Sequence, residues 1–570
     1  MKNDLVISLF RSMADLLEMA GENPFRIRAY RSAADNIASL EEDLAVRAEK
    51  GALRTIPGIG SDLAHKISEI LERGTFADYE KMKENIPQGV LELMHVPSVG
   101  PRKAKLFYDR LRIVSLEGLK KAAQDGKLLG LPGIKQKTVD NILRGIELLA
   151  KGKEAMDLLT ATAAAGIFVS ALKKVPAVEK IAVAGSLRRM KDTVRDIDLL
   201  VASKDPQEVA DAFVGLPQAK RVLAHGATKS AVLTKDGVQV DVRVVPSGEF
   251  GAAFLYFTGS KNHNIKLRQL ALKKGWKINE YGLFDKRHTR LAAKSEEEIY
   301  AKLGLDFIAP ELREDTGEVE AALQGRLPDV VSLEDIRGDF HAHTHYSDGR
   351  NSILEMARKA QSLGYEFLAL TDHSVSLRVA HGLDESRLKN KRRELDGVNK
   401  RLKGFRVLFG TEVEIDAEGG IDYRDTVLSW FDIVIGAIHS GFKQSSKQLT
   451  RRIVRACRHK HVHIIAHPTG KLWPARGPYD VDMQEVFRAA RDTNTALEIN
   501  AHPYRLDLSD VHARAARDSG VRLAVGTDSH DAAHLEYMKF GVGLCRRAWL
   551  TKNDVLNTLH LDALLKAIKK

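Results

Sequence analysis

The sequence predicts a multidomain chain of mixed α+β and α/β class, with a helical N-terminal region, an α+β centre and a C-terminal barrel of parallel βα units. Three observations carry that expectation. A proline-containing turn followed by an amphipathic helix recurs three times in the first third; two later strands place aspartates on one face; and seven apolar runs near the C-terminus mostly end in a ligand-type residue. At 570 residues with 44% hydrophobic content, the chain can build several cores of roughly 100 to 200 residues each. Two cysteines, Cys457 and Cys545, exclude a disulfide scaffold, and the charged start MKNDLVISLFRSMADLLEMA lacks the apolar core of a signal peptide. No apolar run approaches the ~18 residues that span a bilayer. A cytoplasmic monomer without membrane attachment is expected. The 88 Lys+Arg against 76 Asp+Glu, a formal +12, suit a polyanionic partner, though many basic proteins bind none.

The repeated element reads TIPGIGSDLAHKISEIL from Thr55, HVPSVGPRKAKLFYDRL from His95 and GLPGIKQKTVDNIL from Gly130. Each copy has an apolar residue, a proline, a turn and a helix with apolar residues at helical spacing. Gly58 and Gly60, Val99 and Gly100, and Gly133 sit where the second helix begins, so its first N–H groups face outward and can donate to a phosphate without reading base sequence. The alternative is a proline-glycine loop of no further consequence. The three copies resemble helix-hairpin-helix DNA-binding motifs. Lys135 replaces the second glycine in the third, which therefore either binds phosphate less well or serves packing alone.

Lys180 to Ser203, KIAVAGSLRRMKDTVRDIDLLVAS, reads as strand, glycine-serine turn, basic loop and a strand bearing Asp196 and Asp198. Alternate strand residues share a face, and VQVDVRVVP adds Asp241 and Arg243 on a second strand. Three converging carboxylates repel one another unless divalent cations neutralise them, for which Mg²⁺ with oxygen ligands is the usual solution. Two ions about 3.5–4 Å apart can activate a 3′-hydroxyl and steady a departing pyrophosphate. Gly185, Ser186 and the pair Arg188 and Arg189 can cradle a triphosphate. A lone Asp-x-Asp would more simply be a solvated strand end. Tyr256 and Phe257 beside Gly259 can form a flat wall for a sugar, or ordinary core.

The order GSLRRMKDTVRDIDLL, VDVRVVP, then LYFTGSKNHNIKLRQLALKKGWKINEYGLF resembles the family X DNA polymerases, of which DNA polymerase beta is the best known, across roughly residues 1 to 315. The resemblance implies a helical, lyase-like domain at 1–90, a helix-hairpin-helix fingers-like domain at 91–155, a nucleotidyltransferase palm at 156–246 and a nucleotide-selecting thumb at 247–315. It further implies that Asp196, Asp198 and Asp241 hold Mg²⁺ or Mn²⁺ and that Gly185, Ser186 and Arg189 hold the triphosphate. Tyr256, Phe257, Thr258, Gly259, Ser260 and Asn264 would contact the incoming deoxynucleoside triphosphate, and Arg268 would face the template. Lys66 falls at the family's Schiff-base lysine, with Arg26, Arg28, Tyr30 and Arg31 as a phosphate pocket, although Asp62 stands where relatives carry a second lysine. A solvated helix lysine is the alternative for Lys66, since a nucleophilic lysine needs a lowered pKa.

Residues 316–336, polar and acidic, read as a linker. Beyond them come GDFHAH, YEFLALTDHS, RVLFGTEVEI, DIVIGAIHS, HIIAHP, ALEINAH and LAVGTDSH, most separated by helical patterns. Parallel βα units closing into a barrel gather their C-terminal strand ends at one rim. His341, His343, Asp348, His373, Glu412, His439, His467, Asp528 and His530 would meet there, too many ligands for one ion. Mixed imidazole and carboxylate sets suit Zn, Mn or Fe, and such a cluster can generate hydroxide and neutralise a phosphodiester.

Residues 337–570 resemble the polymerase and histidinol phosphatase (PHP) domain through HAHTHYSDG, TDHS, GTEVEI, IHSGF, HPTGK, LEINAHPYRLDL and GTDSHD. This implies a distorted (β/α)7 barrel with three ions, Mn²⁺ or Zn²⁺, and Glu412 as a bridge. His345 is either an intruding ligand or a bystander, Asp372 is expected to orient a histidine, and Arg476 and Arg505 are phosphate clamps or surface arginines. Together the halves imply a repair polymerase acting on gapped or primed DNA, with a 3′-5′ exonuclease that also cuts at abasic sites. A DNA-tethered small-molecule phosphoesterase and a noncatalytic DNA-end scaffold are the alternatives.

Overall fold

The computed structural model describes residues 2–38, 44–49, 51–84, 86–94, 96, 99–151 and 155–569. They fall into two compact units, Met1–Glu154 and Ala155–Lys570. The first is helical and has two cores. In one, Phe10 meets Tyr30 edge-on with ring centroids 5.3 Å apart, and Phe76 closes the cluster; the other gathers Val90, Phe107, Leu119 and Ile142.

The three repeats share one hydrogen-bond signature, which is the structural meaning of their sequence similarity. Ile59 N donates to Ile56 O, Val99 N to Val96 O and Ile134 N to Leu131 O, each closing a turn ahead of the second helix. Gly58 and Gly133 hold φ of +77° and +76°, a conformation that costs other residues about 1–2 kcal/mol. Helices Ser61–Arg73 and Pro101–Leu111 begin at Gly60 and Gly100, which offer no side chain to cap the first N–H groups. These donors are left for an external acceptor. In the second copy His95, Pro97 and Ser98 lie outside the described residues.

The second unit begins with a five-stranded sheet of β1 (Val178–Val183), β2 (Asp196–Ser203), β3 (Ala219–Ala224), β4 (Lys229–Thr234) and β5 (Gln239–Val245), in the order β1-β2-β5-β4-β3. Only β2 and β5 run parallel, and their register sets Asp198 opposite Asp241 and Asp196 opposite Gln239. Helices Phe250–Thr258 and Lys261–Lys273 follow, with a small antiparallel sheet.

Residues 316–336 are folded, which corrects the expectation of a linker. Glu318–Leu323 is helical, and Val319 and Ala322, three residues apart, pack into the core that holds Leu303, Ile308 and Leu312. Glu318 is buried and accepts from His263 Nδ1 at 2.7 Å. Acidic composition suggested solvation, but this carboxylate has an internal partner. Trp549 of the C-terminal region joins the same core, so the five-stranded sheet, the helices after it and the barrel form one unit.

The one-turn helix Gly185–Arg188 beside the sheet and the later segment 296–313 are joined by a largely buried ion triad. Arg188 donates to both oxygens of Glu296, at 2.9 and 2.6 Å, and Arg313 donates to Glu296 at 2.6 Å. Burial raises the Glu296 pKa, but Arg188 and Arg313 outweigh it and hold the carboxylate below its usual 4.5. The pair therefore contributes stability that is fully present above pH 4.5 and is lost as pH falls through the depressed value. Glu296→Ala strands the buried Arg313 guanidinium and removes the main partner of Arg188, and is expected to lower the unfolding free energy by about 3–5 kcal/mol. Urea denaturation at pH 7 checks this, and wild-type stability there would exclude a structural role for the triad.

The barrel consists of β6 (Gly338–Ala342), β7 (Phe367–Leu370), β8 (Arg406–Glu414), β9 (Ile433–Ala437), β10 (Ile464–Ile465), β11 (Ala496–Asn500) and β12 (Leu523–Gly526), parallel and in sequential order. A bridge between Ala342 and Ser529 draws the last strand back to the first, with His343 N donating to Ser529 O at 2.8 Å. All seven apolar runs become strands, so the expected (β/α)7 architecture stands. Among the described residues, no helix is long and apolar enough to cross a membrane.

Candidate functional site

The first centre lies on the open face of the five-stranded sheet. Asp196, Asp198 and Asp241 come together there because residues two apart on β2 share a face and the parallel register brings in β5. Burial, then Asp196 and Asp241, raise the Asp198 pKa to about 7, and burial and Asp241 raise that of Asp196. Carboxylates crowded until one retains its proton near neutrality lack positive charge, which divalent cations supply. Gly185, at φ +62°, lies so close that an added Cβ would sit 2.1 Å from Asp198 Oδ2. No side chain fits there without displacing the carboxylate.

The residues expected to contact a nucleotide lie on the one-turn helix after β1 and on the two helices that follow β5. Ser186 is the second residue of the one-turn helix Gly185–Arg188, and Arg189 is its C-cap. Arg188 is engaged by Glu296, by Thr258 Oγ1 at 2.7 Å and by the Phe254 ring, whereas the charge of Arg189 acts on Asp198 and lowers its pKa against the effect of burial. Thr258 ends its helix, Gly259 follows at φ +72°, and Ser260 caps the next helix by accepting from His263 N. Asn264 Nδ2 donates to Tyr256 O at 2.7 Å, Tyr256 meets Phe257 edge-on, and Arg268 lies over the Tyr256 ring. A small cavity lined by Tyr256, Asn264, Arg268 and Asn279 opens beside them.

The second centre gathers all nine barrel residues. Three overlapping groups could each hold an ion: His343, Asp348, His373 and His530; His341, His343 and Asp528; His373, Glu412 and His439. Glu412 lies 2.9 Å from His373, 3.0 Å from His467, 3.3 Å from His439 and 3.4 Å from His341. Two ligands of one ion at about 2.1 Å bond length are separated by about 3.0–3.4 Å, so these spacings fit shared coordination. The test for metal is made by the orphaned atoms. His341 Nε2, both His343 nitrogens and His467 Nδ1 are buried without a hydrogen-bond partner, a condition too costly for so many polar atoms unless cations complete it. Burial lowers the His343 pKa to about 4, so the imidazole is neutral and able to ligate at physiological pH. His467 and Asp528 also hold positive φ, at +29° and +53°, strain that ligation can offset.

Partners that orient these ligands were missed in the sequence. Glu498 accepts from His341 Nδ1 at 2.7 Å and from His467 N, and Glu414 accepts from His439 Nδ1 at 2.8 Å. A carboxylate inside the apolar run ALEINAH was the available signal for Glu498, because burial demands a partner. Asp372 anchors Thr344, Ser347 and Lys391 rather than a histidine. Arg505 is not a surface residue: its Nε donates to Asp528 at 2.9 Å, beside the candidate metal cluster. Arg476 lies over the Phe442 ring, and His345 is exposed against Tyr346, outside the cluster.

Lys66 departs from expectation in both directions. It is buried, not solvated, and its Nζ lies 2.7 Å from Asp62 and 3.0 Å from Asp78. Burial alone would lower its pKa, but Asp62, Tyr30 and Asp78 raise it, which opposes the neutral amine that a Schiff base requires. The phosphate pocket is likewise occupied: Arg31 binds Glu18 and Asp15, Arg26 lies near Glu22 and Asp78, Arg28 covers Phe25, and Tyr30 is core. Lys66→Ala should leave borohydride trapping on 5′-deoxyribose phosphate DNA unchanged. Loss of a trapped adduct in that variant would restore the nucleophile role. Its stability change should stay within about 1 kcal/mol, because both carboxylates reach solvent.

Comparison with known proteins accords with this geometry. Family models match a helix-hairpin-helix domain over residues 1–76, a SAM-like helix-hairpin-helix tandem over 90–147, the DNA polymerase beta thumb over 253–314 and the PHP domain over 339–502. The DNA polymerase/3′-5′ exonuclease PolX of Bacillus subtilis (strain 168) is 38% identical over 567 residues, covering 98% of this chain and 99% of that one. Shorter relatives include a probable phosphatase of Thermoanaerobacter sp. (strain X514), 29% identical over 233 residues, which are 39% of this chain and 89% of the relative. A probable phosphatase of Shewanella sediminis (strain HAW-EB3) is 30% identical over 243 residues, 41% and 93% of the two chains. With a full-length relative and matches from the N-terminal turns to the barrel, the chain belongs to the family X DNA polymerases that carry a C-terminal PHP domain.

Proposed function

We propose that this chain is a DNA-directed DNA polymerase that fills short gaps during base excision repair, coupled to a 3′-5′ exonuclease in its barrel that also cuts at abasic sites. The observation that carries the reading is the presence of two separate centres of different chemistry in one unit. Asp196, Asp198 and Asp241 offer only oxygen, which suits Mg²⁺, whereas the barrel mixes imidazole with carboxylate, which suits three ions of Mn²⁺ or Zn²⁺. When bound, such ions lower the pKa of an attacking oxygen and neutralise charge on phosphate.

The chain's own residues do the rest. Ser186 and the Arg189 guanidinium hold the triphosphate, Tyr256 and Phe257 form a wall for the sugar, Asn264 fixes that wall through the Tyr256 carbonyl, and Arg268 faces the template. The turns at Gly58, Gly60, Val99, Gly100 and Gly133 hold backbone phosphates of gapped or primed DNA, with no demand on sequence. In the barrel, Glu498 and Glu414 fix the tautomers of His341 and His439, so that Nε2 of each faces the ions. The relatives described as probable phosphatases favour a second reading, a barrel that hydrolyses small phosphomonoesters. The purified chain, assayed on one-nucleotide gapped DNA, on a free 3′ end and on p-nitrophenyl phosphate, each with Mg²⁺ or Mn²⁺, separates them. Gap filling with Mg²⁺ and 3′ degradation with Mn²⁺ are expected; phosphomonoester hydrolysis without action on DNA would overturn the proposal.

A further inference from the structure

The loop Arg189–Asp192, between the glycine-serine turn and β2, is wedged against the barrel. Met190 packs on Gly543, where an added Cβ would lie 2.9 Å from Met190 Cγ, and Asp192 accepts from Lys471 Nζ at 2.8 Å. Arg189 is gripped from both sides. Its Nε donates to Glu314 Oε1 at 3.0 Å and its Nη1 to Thr258 O at 2.5 Å, while Nη2 donates to no protein group among the described residues. Glu314 is held in turn by Arg547, on the barrel helix Met538–Arg547. Arg547 Nη1 donates to Glu314 Oε1 at 2.8 Å and to the Arg189 carbonyl at 2.9 Å, and its Nη2 donates to Asp510 Oδ2 at 2.5 Å.

A contact that only glued the barrel to the sheet would need neither of these bonds to Arg189 and its counterion. The Arg547 side chain is 5% exposed, so solvent does not screen the network as it would a surface pair. Fixing both the backbone and the counterion of Arg189 restrains its guanidinium, with the Nη2 edge making no protein hydrogen bond among the described residues. We propose that Arg547 of the barrel is a positioning residue of the polymerase site, holding Glu314 and the Arg189 backbone so that Arg189 is presented to the triphosphate of the incoming nucleotide. The proposal rests on Arg189 being a triphosphate contact, and the test separates the two.

Single-nucleotide gap filling is measured on the full chain, with Mn²⁺-dependent 3′ degradation and melting temperature recorded on the same preparations. Arg547→Ala should raise KM for the nucleotide about tenfold, the order of one charge-assisted hydrogen bond, while changing kcat by less than about twofold. Degradation of 3′ ends should be unchanged, because Arg547 is not among the barrel ligands. Arg547→Lys should recover part of the loss, and Asp510→Asn should shift KM the same way by less. Arg189→Ala serves as the reference. If it raises KM while Arg547→Ala does not, the positioning role falls and the reading of Arg189 stands; if Arg189→Ala leaves KM unchanged, both fall. A parallel drop of kcat, 3′ degradation and melting temperature in Arg547→Ala would mark a purely structural residue and overturn the proposal.

Discussion

Asp241→Asn is expected to reduce gap filling by more than about a hundredfold, since losing even a group that merely orients a ligand commonly costs 10–100-fold. The substitution keeps the shape of the side chain and removes one of three charges facing the two ions. Asp241 pairs directly with Asp198 across the parallel strands, so its loss acts on the metal-free protein as well. Without Asp241, one of the causes that raise the Asp198 pKa to about 7 disappears, and that pKa should move back toward the ordinary carboxylate range. Crowded like charges also oppose folding, so the metal-free variant should melt at or above the wild-type temperature. Nuclease activity in the barrel should persist. Gap filling near the wild-type rate in a folded Asp241→Asn chain would remove this residue from the catalytic centre.

How much of this was legible in the sequence depends on the range of the interaction involved. Asp196 and Asp198 declared themselves because strand alternation is local, and most of the nine barrel residues did so because they stand at or just past the end of an apolar run, Glu412 within its strand and Asp348 in the following loop being the exceptions. The three turns were legible for the same reason, since a proline, a tight turn and a helix start fit within six residues, with a positive-φ glycine at Gly58 and Gly133. What escaped notice depends on long-range pairing. Glu318 looked like part of an acidic spacer until His263, 55 residues away, appeared as its partner. Lys66 was read from its motif alone, and the decisive carboxylate of Asp78 comes from the next helix. Arg547 and Glu314 lie 233 residues apart, and neither sits in a motif with any local pattern. A charged residue in an amphipathic context carries no sequence mark that separates a solvated side chain from a buried one with a distant partner.

His343→Ala should remove most Mn²⁺-dependent 3′ degradation while leaving gap filling in place. His343 is the residue to choose because it belongs to two of the three possible ion groups, and both of its nitrogens are buried without a hydrogen-bond partner. Its removal therefore takes one ligand from each of two neighbouring ions, where truncating His439 would affect one group alone. A first-contact ligand should matter more than the 10–100-fold typical of orienting partners, so a loss above about a hundredfold in rate is expected, with bound transition metal falling in parallel. The fold should tolerate the change. The backbone bond from His343 N to Ser529 O that closes the barrel does not involve the imidazole, and the variant relieves buried polar atoms rather than creating new ones. Polymerisation should persist because the barrel meets the polymerase centre through Met190, Asp192 and Arg547, none of which contacts His343. Elemental analysis and both activities on one preparation decide the matter. Retained 3′ degradation would place the nuclease elsewhere in the chain, and loss of gap filling in a well-folded variant would show that occupancy of the barrel controls the palm.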